Sequence, residues 1–291
     1  VGCPHGNPGS SGGYGDPINT VVFPEIVNEA LAADAELVVV SGDLTYGDYQ
    51  YGGTDAAHLQ WFTALIRPLL DEGVIVLPVR GNHDVGSGWS EVIMPLLEGV
   101  NVVSANEYSY AAVHRGVLFV GLDAYEQEPV DMDPGDIPVK QTRTVTWAAD
   151  AVGTKALHRF VFSHEPAFAI RHPDNLDDLT FSRDNLWSAM ESAGVLAYFC
   201  AHDHFYHRST IDNGLTTYDV KQLVVGTGGA ELKPIEMTPH RYDGHWTIDT
   251  EKAIKQWGYL LVTVKGFSVR ARFMERTGPG VFTESDSFTL R

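Results

Sequence analysis

Hydrophobic and polar positions along the first part of the chain follow two periods, one typical of amphipathic helices and one typical of buried strands. Apolar residues three and four positions apart predict helices near residues 18–30 and 59–69, the second bent or ended near Pro68. Short apolar runs predict a strand after each helix, at residues 37–40 and 74–79. This alternation of helix and strand is typical of an α/β fold.

The alternation continues to residue 199 and then gives way to a β-rich pattern. Further strands are predicted at residues 117–122, 159–162 and 195–199, and further helices at residues 141–152 and 184–193. Beyond them, apolar or alternating runs predict strands at residues 223–225, 259–264 and 268–273. Loops are expected at residues 6–15, 85–109 and 124–140, the last two shaping the mouth of a site. We expect one domain spanning residues 1–291.

Composition fits a globular domain and restricts its ligands. Of 291 residues 44% are hydrophobic, enough for a sizeable core, and the longest apolar runs are too short to cross a bilayer, so we expect a soluble protein. The formal charge of -18 disfavours duplex nucleic acid, whereas bound cations would still admit a small phosphate ester. Two cysteines leave the compartment open between secreted, periplasmic and cytoplasmic, and the oligomeric state is also open.

Polar clusters follow four of the predicted strands. They are Ser41-Gly42-Asp43, Gly81-Asn82-His83-Asp84, Ser163-His164-Glu165 and Ala201-His202-Asp203-His204. Each alone is ordinary turn chemistry, but ligands of open α/β sheets bind beyond the carboxyl ends of strands, where these clusters would converge. Imidazole and carboxylate suit Zn, Fe and Mn, and an Asn carbonyl suits harder ions. A bridging carboxylate with two metal ions would support hydrolysis of a phosphate ester.

The clusters also carry a family resemblance. The runs GDLTYGD, VRGNHD, VFSHEP and AHDHFYHR, in that order, resemble the successive motifs of the calcineurin-like metallophosphoesterase superfamily, which includes the purple acid phosphatases. The later runs VVGTGGAEL and WGYLLVTV extend the likeness over nearly the whole chain. The resemblance implies a four-layer α/β/β/α sandwich with mixed sheets. It also implies hydrolysis of phosphate monoesters or diesters by a hydroxide held between two divalent or trivalent metal ions.

The resemblance assigns a role to each motif residue. Asp43 would bridge both metal ions, and Asn82, His164 and His202 would complete one site. His204 would bind the other ion. His83 would face the substrate and stabilise the phosphoryl oxygens or protonate the leaving group, and Asp84 would orient it.

The first motif departs from the family pattern of Asp-x-His, or Asp-x-Gly in purple acid phosphatases. Its match is Cys3-Pro4-His5, in which His5 is a predicted ligand and Cys3 replaces the carboxylate. Three interpretations of Cys3 are open. It is a thiolate ligand, it is a non-ligand that leaves one metal site weakened, or the residue at this position has been altered. If one metal is lost, the alternative function is a binding scaffold with a phosphoesterase fold.

Tyr46 leaves a second choice open. GDLTY matches the Gly-Asp-x-x-Tyr of purple acid phosphatases, whose phenolate binds ferric iron. His5 belongs instead to the non-purple pattern, in which Tyr46 would be a packing residue with its hydroxyl in water.

Overall fold

The structure is a computed structural model that describes residues 1–6, 17–46, 55–84, 88–98, 100, 102–104, 108–125, 151, 155–172, 175–176, 180–215, 219–235 and 240–291. The predicted helix at residues 141–152, apart from Ala151, lies outside the described residues. So do most of the loops predicted at residues 6–15 and 124–140. Among the described helices, none combines the length and the apolar character needed to cross a membrane.

The chain begins with two helices that alternate with two paired strands. They are α1 (Val22–Ala32), β1 (Leu37–Ser41), α2 (Asp55–Asp71) and β2 (Ile75–Val79). β1 and β2 are parallel, with Ser41 opposite Val79, so the loops that follow them start side by side. α2 runs through Pro68, and only three residues follow it, so the missing N–H affects only the last turn.

A mixed sheet of nine strands lies at the centre of the described fold. Its strands are β3 (Val102–Ser104), β4 (Tyr110–His114), β5 (Val117–Gly121), β6 (His158–Phe162), β7 (Ala197–Cys200), β8 (Tyr206–Asp212), β9 (Val220–Val225), β10 (His240–Asp243) and β11 (Trp246–Ile254). Their order across the sheet is β10-β11-β8-β9-β7-β6-β5-β4-β3. β5, β6, β7 and β9 pair in parallel, so their carboxyl ends lie at one edge.

Two smaller groups of strands pack on one face of the large sheet. One is the β1–β2 pair, whose Leu77 packs with Tyr110 and Phe162. The other is an antiparallel sheet of β12 (Gly258–Lys265), β13 (Ser268–Gly278) and β14 (Val281–Thr289). Phe273 of β13 packs with Phe160 of the large sheet. Together the two groups form a second strand layer.

Helices cover the outer faces of both strand layers. α1 and α2 pack on β1 and β2, and α1 also reaches Tyr259 of β12. On the opposite side, α3 (Thr180–Ala193) packs Trp187 and Met190 against Val161 and Val224 of the large sheet. The layers follow the order α/β/β/α, and the predicted fold class is confirmed.

The structure differs from the sequence-based prediction in two respects. Strands β3, β4, β8, β10, β11 and β14 were not indicated by the apolar pattern. The loop predicted at residues 85–109 is partly wrong, because it contains two short helical turns, Trp89–Ile93 and Met94–Leu97, and β3. Trp89 and Ile93 are buried in the core beside α2, so this segment is stabilised by hydrophobic burial.

Candidate metal centre

The first residues of the chain lie between β1 and the loop after β9. The N–H of Ser41 donates to the carbonyl of Val1 at 2.8 Å, and that of Gly2 donates to Val225 at 2.9 Å. The Cys3 N–H donates to the carbonyl of Gly42 at 3.0 Å. These bonds bring the first motif to the edge where β1, β2, β6 and β7 end, beside the other polar clusters.

One group of donor atoms is formed by Cys3, His5, Asp43 and His204, whose nearest ligand atoms all lie within 4.8 Å of one another. The Nε2 atoms of His5 and His204 are 3.3 Å apart. Asp43 Oδ2 lies 3.7 Å from His5 Nε2 and 4.0 Å from Cys3 Sγ. Cys3, His5 and Asp43 are buried, and His204 is partly exposed.

A second group shares Asp43 with the first. It consists of Asp43, His164 and His202, also within 4.8 Å of one another. His164 Nε2 lies 3.3 Å from Asp43 Oδ2 and 3.3 Å from His202 Nδ1. The same nitrogen lies 3.2 Å from Oδ1 of Asn82, so the amide oxygen belongs to this group.

Backbone carbonyls fix the tautomers of three of these histidines. A carbonyl only accepts hydrogen bonds, so the Nδ1 atoms of His5, His164 and His204 carry the protons donated to Gly6, Ser41 and Glu231. In the neutral imidazole, each Nε2 then presents a lone pair to the centre. The lone pairs of His5 and His204 face each other, and that of His164 faces the Asp43 and Asn82 oxygens. A cation in each group stabilises such an arrangement, and ligands of one Zn ion stand roughly 3.3 Å apart, so the residues fit two metal ions.

Burial keeps the imidazoles of His5 and His204 neutral, and the Asp43 carboxylate is ionised. Burial lowers the pKa of His5 to about 4 and that of His204 to about 2. Burial alone would raise the pKa of Asp43, but the surrounding imidazoles, His164 foremost, hold it well below its usual value. Metal ions bind deprotonated ligands, so these three residues are in the state that metal binding needs.

The Cys3 side chain, in contrast, stays protonated. Burial, and after it the negative charge of Asp43, raises the pKa of Cys3 well above its ordinary value. The side chain is therefore a thiol when only the protein surrounds it. A bound cation reverses this preference, because a coordinating thiol is deprotonated outright.

Backbone strain is concentrated in the same place. Cys3, Asp43 and His202 adopt positive φ angles of 52°, 52° and 59°, in a region that non-glycine residues rarely occupy. Gly42 has φ +81°, and a Cβ there would lie 2.5 Å from Nδ1 of His164. Strain of this kind is found at ligand sites that the surrounding fold holds in place.

His83 lies at the partly exposed side of the centre. Its backbone N–H donates to Asp43 Oδ1 at 3.1 Å. Its ring stacks on Tyr46, with centroids 4.5 Å apart and planes at 22°. The ring of His5 is 5.4 Å from that of His83. Asn82, His83, Tyr46 and His204 are partly exposed, so they border the mouth of the site.

Asp84 is buried behind these residues and binds backbone groups. Its Oδ2 accepts the N–H groups of Gly81 at 2.8 Å and Leu44 at 3.0 Å, and its Oδ1 accepts that of Thr45 at 3.1 Å. Burial, and after it the charge of Asp43, raises the pKa of Asp84 to about 7. The orientation of the His83 ring by Asp84 stays a prediction.

The motif analysis missed two contacts that support the centre. Asp203 accepts the backbone N–H groups of Arg171 at 3.1 Å and His172 at 3.2 Å, which fastens the segment after His164 to the turn that carries His202. Its place between two histidines could have drawn attention to it. Behind the second motif, the buried guanidinium of Arg80 pairs with Asp123. Asp123 also follows a strand, β5, at the edge where the clusters converge.

Comparison of the sequence with known proteins identifies one family. The sequence profile of the calcineurin-like phosphoesterase family matches residues 1–206. A search of curated protein sequences finds no significant match.

Similar solved structures show the same fold. A purple acid phosphatase, PPD1, from yellow lupin (Lupinus luteus) seeds has a TM-score of 0.66 and 18% identity, over 99% of this chain and 52% of its own. The present chain thus spans about half the length of that enzyme. A dimetal phosphatase from Danio rerio has a TM-score of 0.58 and 14% identity, over 92% of this chain and 88% of its own. GAP50, the anchor in the inner membrane complex of Plasmodium, has a TM-score of 0.59 and 12% identity, over 94% and 86%.

Proposed function

The chain belongs to the calcineurin-like phosphoesterase family, and from this premise we propose that it hydrolyses small phosphate esters at a binuclear metal centre built on Asp43. The observation that carries the proposal is the pair of donor groups that share this carboxylate. A shared carboxylate places two cations close together, as in-line displacement at phosphorus requires. The ester is a monoester or a diester.

The donor sets differ between the two halves of the centre. Asp43 would contact both ions. Cys3, His5 and His204 would hold one ion, and Asn82, His164 and His202 would hold the other. A soft thiolate in the first half favours Zn or Fe, and the amide oxygen in the second half also accepts harder ions such as Mn.

The metal ions and the residues around them would then have separate roles. Bound metal ions would supply an activated water and neutralise charge on the phosphoryl oxygens. The imidazole of His83, at the exposed side, would donate a hydrogen bond to a phosphoryl oxygen or a proton to the leaving oxygen. The Asp43 carboxylate accepts a hydrogen bond from the backbone N–H of His83. This bond fixes the backbone of His83 relative to the metal centre.

The position of Cys3 supports an enzyme over the scaffold alternative. A lost metal site would leave the residue at position 3 outside the donor set, whereas Cys3 Sγ belongs to the first group of ligand atoms. The remaining donors of both groups are complete.

Elemental analysis together with hydrolysis assays tests the proposal. The purified protein, reconstituted with Zn, Fe or Mn, should contain two metal ions per chain and should hydrolyse p-nitrophenyl phosphate or bis(p-nitrophenyl) phosphate. The preferred ester identifies the subclass. Two bound ions with no turnover of either ester would contradict the proposal.

A variant of His83 tests the assigned role. His83→Ala should keep two metal ions and lower kcat by about 10²–10⁴-fold, the range of general acid–base catalysis. His114→Ala is a matched control, because His114 pairs with Glu36 on another part of the surface. Loss of metal from His83→Ala would assign His83 to the structure of the centre instead.

A further inference from the structure

Tyr46 lies against the face of His83. The two ring centroids are 4.5 Å apart and the planes meet at 22°, which is the geometry of offset stacking. The ring of His5 lies 5.3 Å from Tyr46 at 55°, so it does not share this stack. His83 and Tyr46 are both partly exposed, so the stack stands at the side of the centre from which a substrate approaches.

Backbone hydrogen bonds determine where the two rings stand. The N–H of Tyr46 donates to the carbonyl of Pro17 at 3.0 Å, and the preceding N–H, that of Thr45, donates to Asp84 Oδ1 at 3.1 Å. The His83 N–H donates to Asp43 Oδ1 at 3.1 Å. The two segments are therefore tied to each other, because Thr45 binds the carboxylate that follows His83 and His83 binds the carboxylate of the loop that carries Tyr46.

The group of donor atoms nearest to Tyr46 contains four donors without the Tyr46 phenol. Cys3, His5, Asp43 and His204 supply one sulfur, two nitrogens and one oxygen, which is a complete set for a tetrahedral ion. His5 thus occupies a ligand position in the group beside the Tyr46 ring. A phenolate is not needed to complete that group.

We propose that Tyr46 is a positioning residue whose ring holds the imidazole of His83 in the orientation for catalysis, and that its phenol is not a metal ligand. The inference rests on the proposed function, since His83 acts on the substrate there. Stacking restricts the rotamers of His83, so the imidazole keeps the orientation in which it can donate to a phosphoryl oxygen. Loss of the ring should thus lower kcat more than it changes KM.

Two substitutions separate stacking from ligation. Tyr46→Leu removes the ring, and we expect two metal ions per chain, KM within about twofold, and kcat lowered about five- to tenfold, the usual strength of an aromatic pair. Tyr46→Phe keeps the ring and should rescue kcat with full metal content. If Tyr46→Phe loses metal or as much kcat as Tyr46→Leu, the phenol is a ligand or a donor and the inference is wrong. If Tyr46→Leu keeps wild-type kcat, the stack is incidental and the inference is also wrong.

The double variant tests whether Tyr46 acts through His83. On a His83→Ala background, Tyr46→Leu should lower kcat no further, because the side chain that it positions is already gone. An equal additional loss would overturn the inference. Tyr46→Met replaces Tyr46→Leu if the latter does not fold.

A spectroscopic readout is independent of turnover. In the zinc-loaded protein, NMR signals of the His83 ring protons, assigned by their loss in His83→Ala, should be shifted upfield by the ring current of Tyr46. The shift should persist in Tyr46→Phe and disappear in Tyr46→Leu. If wild type hydrolyses no ester, the proposed function fails, yet this shift and the metal content still decide whether Tyr46 stacks or ligates. An unshifted His83 signal in wild type would overturn the stack itself.

Discussion

The carboxylate of Asp84 accepts the backbone N–H of Leu44 at 3.0 Å, which ties the loop after β2 to the loop after β1. The same carboxylate also accepts the N–H groups of Thr45 and Gly81. One loop carries Asp43 and the other carries Asn82 and His83. The distance between the Asp43 carboxylate and the side chains of Asn82 and His83 thus depends on a residue behind the candidate site.

Asp84→Asn should loosen this connection. An amide replaces one acceptor oxygen with a donor, so at least one backbone N–H loses its partner, at a cost of about 1–3 kcal/mol. We expect a lower Tm and weaker metal retention during dialysis against a mild chelator. Asp71→Asn, an exposed residue at the end of α2, is the control. Wild-type Tm and metal retention in Asp84→Asn would show that the three hydrogen bonds are not needed.

Gly81→Ala should damage the centre through sterics alone. A Cβ at this position would lie 2.1 Å from Asp43 Oδ1, so the Asp43 carboxylate must move. We expect fewer than two metal ions per chain and at least about a tenfold loss of kcat, since small displacements of a catalytic group are costly. In Gly278→Ala, the matched control, the nearest atom is 4.0 Å from the new Cβ. Full metal content in Gly81→Ala would contradict the close approach.

The convergence of the candidate metal-binding motifs could be predicted from sequence for a definite physical reason. Asp43, His164 and His202 each follow a strand whose apolar run is visible, and β6 and β7 are parallel, so their carboxyl ends lie together. The parallel pair β1–β2 brings Asn82 to the same edge. The strand ends can be located from local sequence, and parallel pairing then brings the residues that follow them to one edge of the sheet.

The features that could not be predicted from sequence depend on contacts between distant segments. β11 contains Asp249, Glu251 and Lys252, and it is a strand because it pairs with β8, not because of an apolar run. The stack of Tyr46 on His83 likewise joins two loops whose paths are set by backbone hydrogen bonds. No spacing within either motif encodes that contact.

Cys3 should be visible as a thiolate ligand by its optical spectrum. In protein reconstituted with Co(II), we expect an intense near-ultraviolet band from sulfur-to-cobalt charge transfer, because a bound cation deprotonates the thiol. Cys3→Ser should remove the band and weaken one of the two cobalt sites. Cys3→Asp, which restores a carboxylate, should bind two cobalt ions without the band. Two bound cobalt ions and no such band in wild type would show that Cys3 is not a ligand.

Glu191 of α3 should make stability depend on pH. It is buried, accepts a hydrogen bond from Nδ2 of Asn213 at 2.9 Å, and has its pKa raised from 4.5 to about 7 by burial and then by the charge of Asp219. Between these two pKa values the folded chain binds more protons than the unfolded chain, so this contribution to stability is full below pH 4.5 and is lost as pH rises through 7.

Glu191→Gln removes the titration and keeps an acceptor for Asn213. Thermal unfolding should therefore give equal Tm values for wild type and variant near pH 4.5, and a Tm higher by about 1–2 °C for the variant at pH 8. Glu72→Gln, on an exposed residue, is the control and should show no such pH-dependent gap. The same difference in Tm at both pH values would mean that packing, and not the charge on Glu191, separates the two proteins.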